Sequence, residues 1–321
     1  MAGFFFAAMA VLAGPVPGEA AGIEREVSED GTSAGTIDEI MEPQRKKAVS
    51  ATSAETISET LEPQRKEAVS TTSAETDSDR VVVCILDSGY TAQEATAGEI
   101  RGWNYLEDSA DFSDEQGHGT DICTLVAENA PDAELIMLKC FEGETVSDGE
   151  AIAAALYAAV DDYQADVINM SWTIGEADEE LYEAICYASE QGAVLVASAG
   201  NLSLATGIGS EVYPALWDEV IGVGGVDLDE DGSPVSSLWY LSGEAVYICA
   251  RGDYGEGKGS SYAAARISGM AASWLAEHPD ADADAVRQML RDCAQDVGEE
   301  GYDTTYGWGY VATEGQDSIK S

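Results

Sequence analysis

From Arg80 onward the chain alternates short, nearly unbroken apolar runs with longer stretches in which apolar residues recur every three or four positions. The runs Val81–Leu86, Ala133–Cys140, Asp166–Met170, Ala193–Ala197 and Glu219–Val223 predict strands, because so many consecutive Val, Ile and Leu leave no polar face for water. The spaced stretches predict helices near residues 118–128, 148–164, 177–191 and 261–277. Strands buried on both faces and alternating with helices imply an α/β fold, a parallel sheet with helices on both faces. Ligands of such sheets bind at the carboxyl ends of the strands, and Asp87 falls at one such end.

Residues 1–80 lack this texture. Residues 2–14 are apolar and precede small residues at Gly18, Ala20 and Ala21, the arrangement of a cleavable export signal within residues 1–22. The run is too short to give a stable membrane span, and no Lys or Arg precedes Arg25, which argues against export. On the strength of the signal-like start, a secreted or cell-envelope protein is the expectation, with a cytoplasmic one as the alternative. Residues 23–80 are rich in Ser, Thr, Ala and Glu and hold two 20-residue repeats, Ile37–Thr56 and Ile57–Thr76. Two copies with so few apolar residues cannot bury a stacked core, so a disordered low-complexity linker is expected. Its basic clusters, Arg45-Lys46-Lys47 and Arg65-Lys66, could dock on the acidic remainder of the chain or be processed by it. Residues 81–315 are then the folded domain and residues 316–321 a C-terminal tail.

The chain carries 61 acidic and 15 basic side chains, a net charge of −46. Residues 1–80 hold 15 of the acidic and 7 of the basic ones, which leaves 46 and 8 to the remainder. The acidity thus belongs to the folded part, where it repels phosphate and excludes nucleic acid as a partner. A generally acidic, solvated surface is a simpler reading of it than a dedicated site for cationic peptides. The six cysteines lie in apolar stretches such as Val83-Cys84-Ile85, Ile122-Cys123-Thr124 and Ile185-Cys186-Tyr187. That setting suggests buried thiols rather than a disulfide framework, a metal site or a redox motif.

Three segments supply, in chain order, an Asp, a His and a Ser: Ile85-Leu86-Asp87-Ser88-Gly89, Gly117-His118-Gly119-Thr120 and Gly259-Ser260-Ser261. A serine hydroxyl is inert near neutral pH unless an imidazole takes its proton and a carboxylate fixes that imidazole. The order Asp, His, Ser is that of subtilisin rather than of chymotrypsin or the α/β-hydrolases. Other pieces accompany it: Ala130-Pro131-Asp132-Ala133-Glu134, Val167-Ile168-Asn169-Met170-Ser171, Ala199-Gly200-Asn201, Tyr213-Pro214-Ala215 and Tyr306-Gly307-Trp308-Gly309-Tyr310. In order and approximate spacing, residues 81–315 resemble the subtilisin-like serine protease (subtilase) family.

The resemblance implies a serine endopeptidase acting on protein or peptide substrates through an acyl-enzyme, with no cofactor required for the chemistry. Ser261 would be the nucleophile at the amino end of a helix, His118 its general base and Asp87 the group that orients His118. Asn201 would donate to the oxyanion together with the Ser261 backbone N–H. Ser171, Trp172 and Thr173 would offer a strand edge to an extended substrate, and Ser198, Ala199 and Gly200 would wall the primary side-chain pocket. Trp172 stands where a smaller aliphatic residue is common in the family, so it could narrow the upstream subsites or only pack on a neighbouring helix. His278, in Ala276-Glu277-His278-Pro279, ends a helix and reads as a cap.

Three positions depart from the family pattern. Ser260 replaces the usual Thr before the nucleophile, and Ala265 the usual Pro four residues after it. Neither change removes a catalytic group. Asp121 replaces the His common after His-Gly-Thr, and a carboxylate there could raise the pKa of His118. The segment from Asp227 to Gly232 begins like a calcium loop, but position twelve is Leu238 rather than a bidentate Glu. An acidic turn is the better reading, and although structural calcium is common in the family, no metal ligand is identified. The rival to the endopeptidase reading is a catalytically silent peptide-binding module of the same fold; within the enzymes, an esterase or transpeptidase would share the acyl-enzyme.

Overall fold

The structure, a computed structural model, describes residues 80–92, 100–142, 149–202 and 212–313. In chain order its elements are β1 (Val82–Asp87), β2 (Arg101–Asn104), α1 (His118–Asn129), β3 (Glu134–Lys139), α2 (Gly149–Asp161), β4 (Val167–Met170), α3 (Glu179–Glu190), β5 (Val194–Ser198), β6 (Val220–Leu228), β7 (Pro234–Val235), β8 (Ile248–Arg251), β9 (Asp253–Tyr254), β10 (Gly257–Lys258), α4 (Ser260–Glu277) and α5 (Ala283–Cys293). Each of the five apolar runs is a strand. The main sheet runs β2-β3-β1-β4-β5-β6, with β8 parallel to β6 and the short β7 antiparallel to its end. The neighbouring pairs from β2 through β6 are all parallel.

Successive strand residues point to opposite faces, and here both faces are buried. Cys84, Leu86, Ile136, Leu138, Ile168 and Met170 enter one core, closed by Ile152 and Leu156 of α2 and Leu181 and Ile185 of α3. Val83, Ile85, Leu135, Met137, Val167 and Val194 enter the other, closed by residues of α1, α4 and α5 such as Ile122, Ile267 and Leu290. Each fully buried Ile or Leu contributes about 1.5–3 kcal/mol. Continuous apolar runs are therefore held in the sheet centre whatever their local propensities.

From β1 the chain runs to the edge strand β2, returns to β3 between the two, and then crosses to β4, β5 and β6 on the other side of β1. The order reverses between β1 and β4, which opens a crevice at their carboxyl ends. Asp87 is the last residue of β1 and Ser171 the first after β4, so both lie at that crevice.

Six further elements, β2, β7, β8, β9, β10 and α5, extend the predicted set. Strand β2 sits at the sheet edge and buries only Trp103 and Asn104 of its four residues, so its sequence carries little apolar signal. Strand β8 is four residues long and ends in Arg251. Helix α5 is capped by Asp282, whose side chain accepts the Ala285 N–H at 2.9 Å, and it buries Val286, Met289 and Leu290. His278 ends α4 as expected: its N–H donates to Leu275 O at 2.9 Å, and its ring stacks on Trp274 with centroids 4.2 Å apart.

All six cysteines are free thiols; Cys84, Cys123, Cys140 and Cys249 are buried, Cys186 is half-buried and Cys293 exposed. No helix among the described residues is long and apolar enough to cross a membrane. The export signal, the two repeats with their basic clusters, and the tail at 316–321 lie outside the described residues.

Candidate active site

Helix α1 begins with His118, and its preceding residue, Gly117, has no side chain to satisfy the free N–H groups of the first turn. Asp114 does so from a distance. Its Oδ1 accepts the N–H groups of Gly117 at 2.9 Å and Gln116 at 3.0 Å, and its Oδ2 accepts the Thr120 N–H at 2.9 Å and hydroxyl at 2.7 Å. The Ser88 hydroxyl donates to Asp114 Oδ1 at 3.1 Å and accepts the Gly119 N–H at 3.0 Å, tying the end of β1 to the start of α1. The approach is close enough that a Cβ on Gly119 would lie 2.3 Å from Gly89 O. Burial pushes the Asp114 pKa up, but its hydrogen bonds from Thr120, Gly117 and Ser88 outweigh this and leave it below the ordinary value of 3.8.

This frame places His118 over Asp87. Asp87 is fully buried, and its Oδ1 accepts the His118 Nδ1–H at 2.7 Å and the Ser88 N–H at 2.8 Å. Its Oδ2 is buried with no hydrogen-bond partner among the described residues. With Nδ1 carrying the proton, His118 Nε2 is left as the basic atom. Burial lowers the His118 pKa, but the charge and hydrogen bond of Asp87, helped by Asp114 and Asp121, raise it above 6.5 on balance. The expected influence of Asp121 thus has the anticipated sign, although Asp87 supplies the larger part. Burial in turn raises the Asp121 pKa, against the pull of His118.

Ser261 lies in the first turn of α4, where its N–H has no acceptor among the described residues. Its hydroxyl donates to Ser171 O at 2.8 Å, and no hydrogen bond joins it to His118 among the described residues. The Ser171 hydroxyl lies 2.9 Å from Ser261 O and 3.0 Å from Asn169 Oδ1, so β4 and the start of α4 are linked in both directions. Asn201 Oδ1 accepts the Ser260 N–H at 2.7 Å and hydroxyl at 3.1 Å. That orientation leaves Asn201 Nδ2 as a donor facing the cleft, near the extended Gly259, whose added Cβ would sit 3.3 Å from it. Ser260 therefore keeps a working hydroxyl where the family has Thr; it also bonds Ser198 Oγ at 2.6 Å.

The predicted substrate-binding residues divide. Ser171, Trp172, Thr173 and Ser198 line a cleft of about 400 Å³ with His118, Asn201 and Ser261. Ala199 and Gly200 stand behind its surface: the Ala199 N–H is spent on Val223 O at 2.9 Å, and Gly200 makes the turn to Asn201 at φ 96°, a conformation glycine adopts without strain. The backbones of Trp172 and Thr173 make no hydrogen bond among the described residues, whereas the next residue, Ile174, pairs with Tyr213. Trp172 is buried and its indole N–H donates to Leu86 O at 3.1 Å. It packs into the core at the cleft floor.

Lys258 and Tyr262 also line the cleft, as sequence reasoning had not anticipated, and no carboxylate does among the described residues. Asp227, the first residue of the calcium-like segment, accepts the Tyr240 hydroxyl at 3.0 Å and Lys258 Nζ at 2.8 Å. Asp229 closes its own turn on the N–H groups of Asp231 and Ser233. Among the described residues no group of three or more His, Cys, Asp or Glu is arranged to hold a metal ion.

Comparison with known proteins finds relatives of a single family. The profile of the Subtilase family, peptidase S8, matches residues 78–309. Subtilisin DY of Bacillus licheniformis is 29% identical over 249 residues, covering 73% of this chain and 89% of its own. The major intracellular serine protease of Bacillus subtilis (strain 168) is 30% identical over 223 residues, covering 60% of this chain and 67% of its own. The crystal structure of a lanthipeptide protease superposes with a TM-score of 0.64 at 23% identity, covering 73% of this chain and 87% of that one.

Proposed function

As the chain belongs to the subtilase family and is a subtilisin-like serine protease, we propose that it hydrolyses internal peptide bonds through an acyl-enzyme on Ser261, with His118 as general base and Asp87 as its orienting carboxylate. The observation that carries this reading is the 2.7 Å bond from His118 Nδ1 to the buried Asp87, which presents Nε2 towards the cleft that Ser261 also lines.

The substrate lies as an added strand along Trp172 and Thr173, whose unpaired backbone groups support that role. The Ser261 hydroxyl turns from Ser171 O to His118 Nε2, gives up its proton there, and Oγ bonds to the scissile carbonyl carbon. Asn201 Nδ2–H and the Ser261 N–H receive the developing oxyanion; the amino end of α4 adds a favourable field. The C–N bond then breaks as the imidazolium passes its proton to the departing amine. Water attacks the acyl carbon, giving a proton to Nε2, and the ester bond breaks with that proton returned to Oγ. Throughout, the buried Asp87 stabilises the charged ring without taking its proton. No cofactor enters.

The reading is tested by fluorophosphonate labelling of the full chain beside Ser261→Ala and His118→Ala, with the modified residue mapped by mass spectrometry. Labelling at Ser261 that disappears in both variants is the expected result. Absence of labelling in the folded wild-type chain would overturn it.

A further inference from the structure

Tyr262 follows Ser261 directly, and its ring centroid is 6.2 Å from that of His118. On its other side it meets Tyr254 of β9, with centroids 5.9 Å apart. The phenol end rests against the β9–β10 hairpin so closely that a Cβ on Gly257 would lie 2.4 Å from the Tyr262 oxygen. The ring is thus fixed between the general base and a hairpin while still lining the cleft.

Which part of a substrate meets this ring follows from the chemistry proposed above, on which this inference rests. His118 must hand a proton to the departing amine, so the residue carrying that amine lies on the His118 side of the scissile carbonyl. The oxyanion faces Asn201 and the acyl portion runs along Trp172 and Thr173. Tyr262, set against His118, therefore faces the first residue downstream of the cut.

The surroundings of the two rings favour one chemical class there. Aromatic faces attract cations and accept the apolar stems of long side chains. Burial is the main influence on both phenols; beyond it, Asp121 and Asp87 act on Tyr262, and Glu128 and Asp121 act on Tyr254 against the single opposing charge of Arg266. Lys258, the cation that lines the cleft among the described residues, is paired with Asp227 at 2.8 Å, which offsets its repulsion. We infer that Tyr262 is a specificity-determining residue: with Tyr254 it forms a platform that selects a Lys or Arg side chain immediately after the scissile bond.

The test uses the full chain and internally quenched peptides identical except for Lys, Ala or Glu directly after the cut. The readout is the ratio of kcat/KM for the Lys peptide over the Ala peptide within each variant, so that any general loss of activity cancels. The wild type should prefer Lys over Ala and Ala over Glu, and Tyr262→Ala should lower the Lys-to-Ala ratio roughly five- to tenfold. Tyr262→Phe, which keeps the ring, should hold the ratio. An active wild type without the Lys preference, or a Tyr262→Ala ratio equal to that of the wild type, would overturn the role of Tyr262 alone. A folded wild type that cleaves none of the peptides and takes no fluorophosphonate would overturn the peptidase reading and this one with it.

Discussion

The two halves of the site are built from opposite materials. Around His118 the scaffold is anionic: Asp87 and Asp114 together accept seven hydrogen bonds from Ser88, Gln116, Gly117, His118 and Thr120, and Asp121 stands one turn along α1. The hydrogen bonds described for Ser260 and Ser261 are uncharged: they run to the hydroxyls of Ser171 and Ser198, the Asn201 amide and backbone groups. The proposed chemistry accounts for the division: under it, one half stabilises a cation on the imidazole and the other an anion on the substrate oxygen. A carboxylate near Asn201 would oppose the second in a region where charges are poorly screened. Although residues 81–321 carry 46 acidic side chains, the cleft lining contains none among the described residues.

Breaking the neutral half at its centre should have the largest effect. Ser261→Ala should lower kcat on a chromogenic peptide by about 10⁶, the scale found for the nucleophile of subtilisin itself, while circular dichroism stays unchanged. Next comes the anionic half: Asp87→Asn should cost about 10⁴ in kcat by imposing the wrong tautomer on His118, read in the same assay. Asn201→Ala removes a single oxyanion donor and should cost about 10²–10³ in kcat with KM little changed; an equal rise in KM would show that Asn201 binds ground state and transition state alike.

Asp114→Ala tests structure more than chemistry. It strips the first turn of α1 of its acceptor and should lower the folding free energy by about 2–3 kcal/mol, measured by urea denaturation near neutral pH. Because the folded-state pKa of Asp114 lies below 3.8, its ionised form stabilises the fold fully above that pH. The contribution fades as pH falls through the folded value, so variant and wild type should converge in acid. The smallest change is Asp121→Asn. In the proposed mechanism His118 acts as the neutral base, and its pKa is raised above 6.5, so the acid limb of kcat/KM should have its midpoint above that pH; removing the Asp121 charge should move the limb to lower pH, read from a pH profile.

Much of this was legible before the structure. The central strands announced themselves because both faces are buried, and the Asp, His and Ser segments are short motifs in a diagnostic order. The edge strand β2 did not, because Arg101 and Gly102 need only one neighbour and partial cover. Helix α5 could have been read from Asp282 followed by Val286, Met289 and Leu290, a cap and one buried stripe. Asp114 carried a fainter sign, a carboxylate four residues ahead of a helix start whose own cap position is Gly117. Trp172 could not be settled in one dimension: its indole N–H finds Leu86 O on a strand 86 residues earlier. Nor could Ala199 and Gly200, where a backbone turn decides which atoms reach the cleft.

The dispersal of the site along the chain has a consequence for synthesis. Asp87 and His118 emerge early, Ser171 and Asn201 midway, and Ser261 last, on a helix whose buried residues join those of β1, β4, β5 and β6 in a single core. Under the proposed roles, a growing chain that has not yet passed Gly259 holds the base without its nucleophile, and Asn201 without the Ser261 N–H that completes the oxyanion site. Contacts so distant in sequence form slowly. Under the proposed mechanism the polypeptide is therefore chemically silent while it is being made, and gains the capacity to cut protein only once α4 has been made and packed.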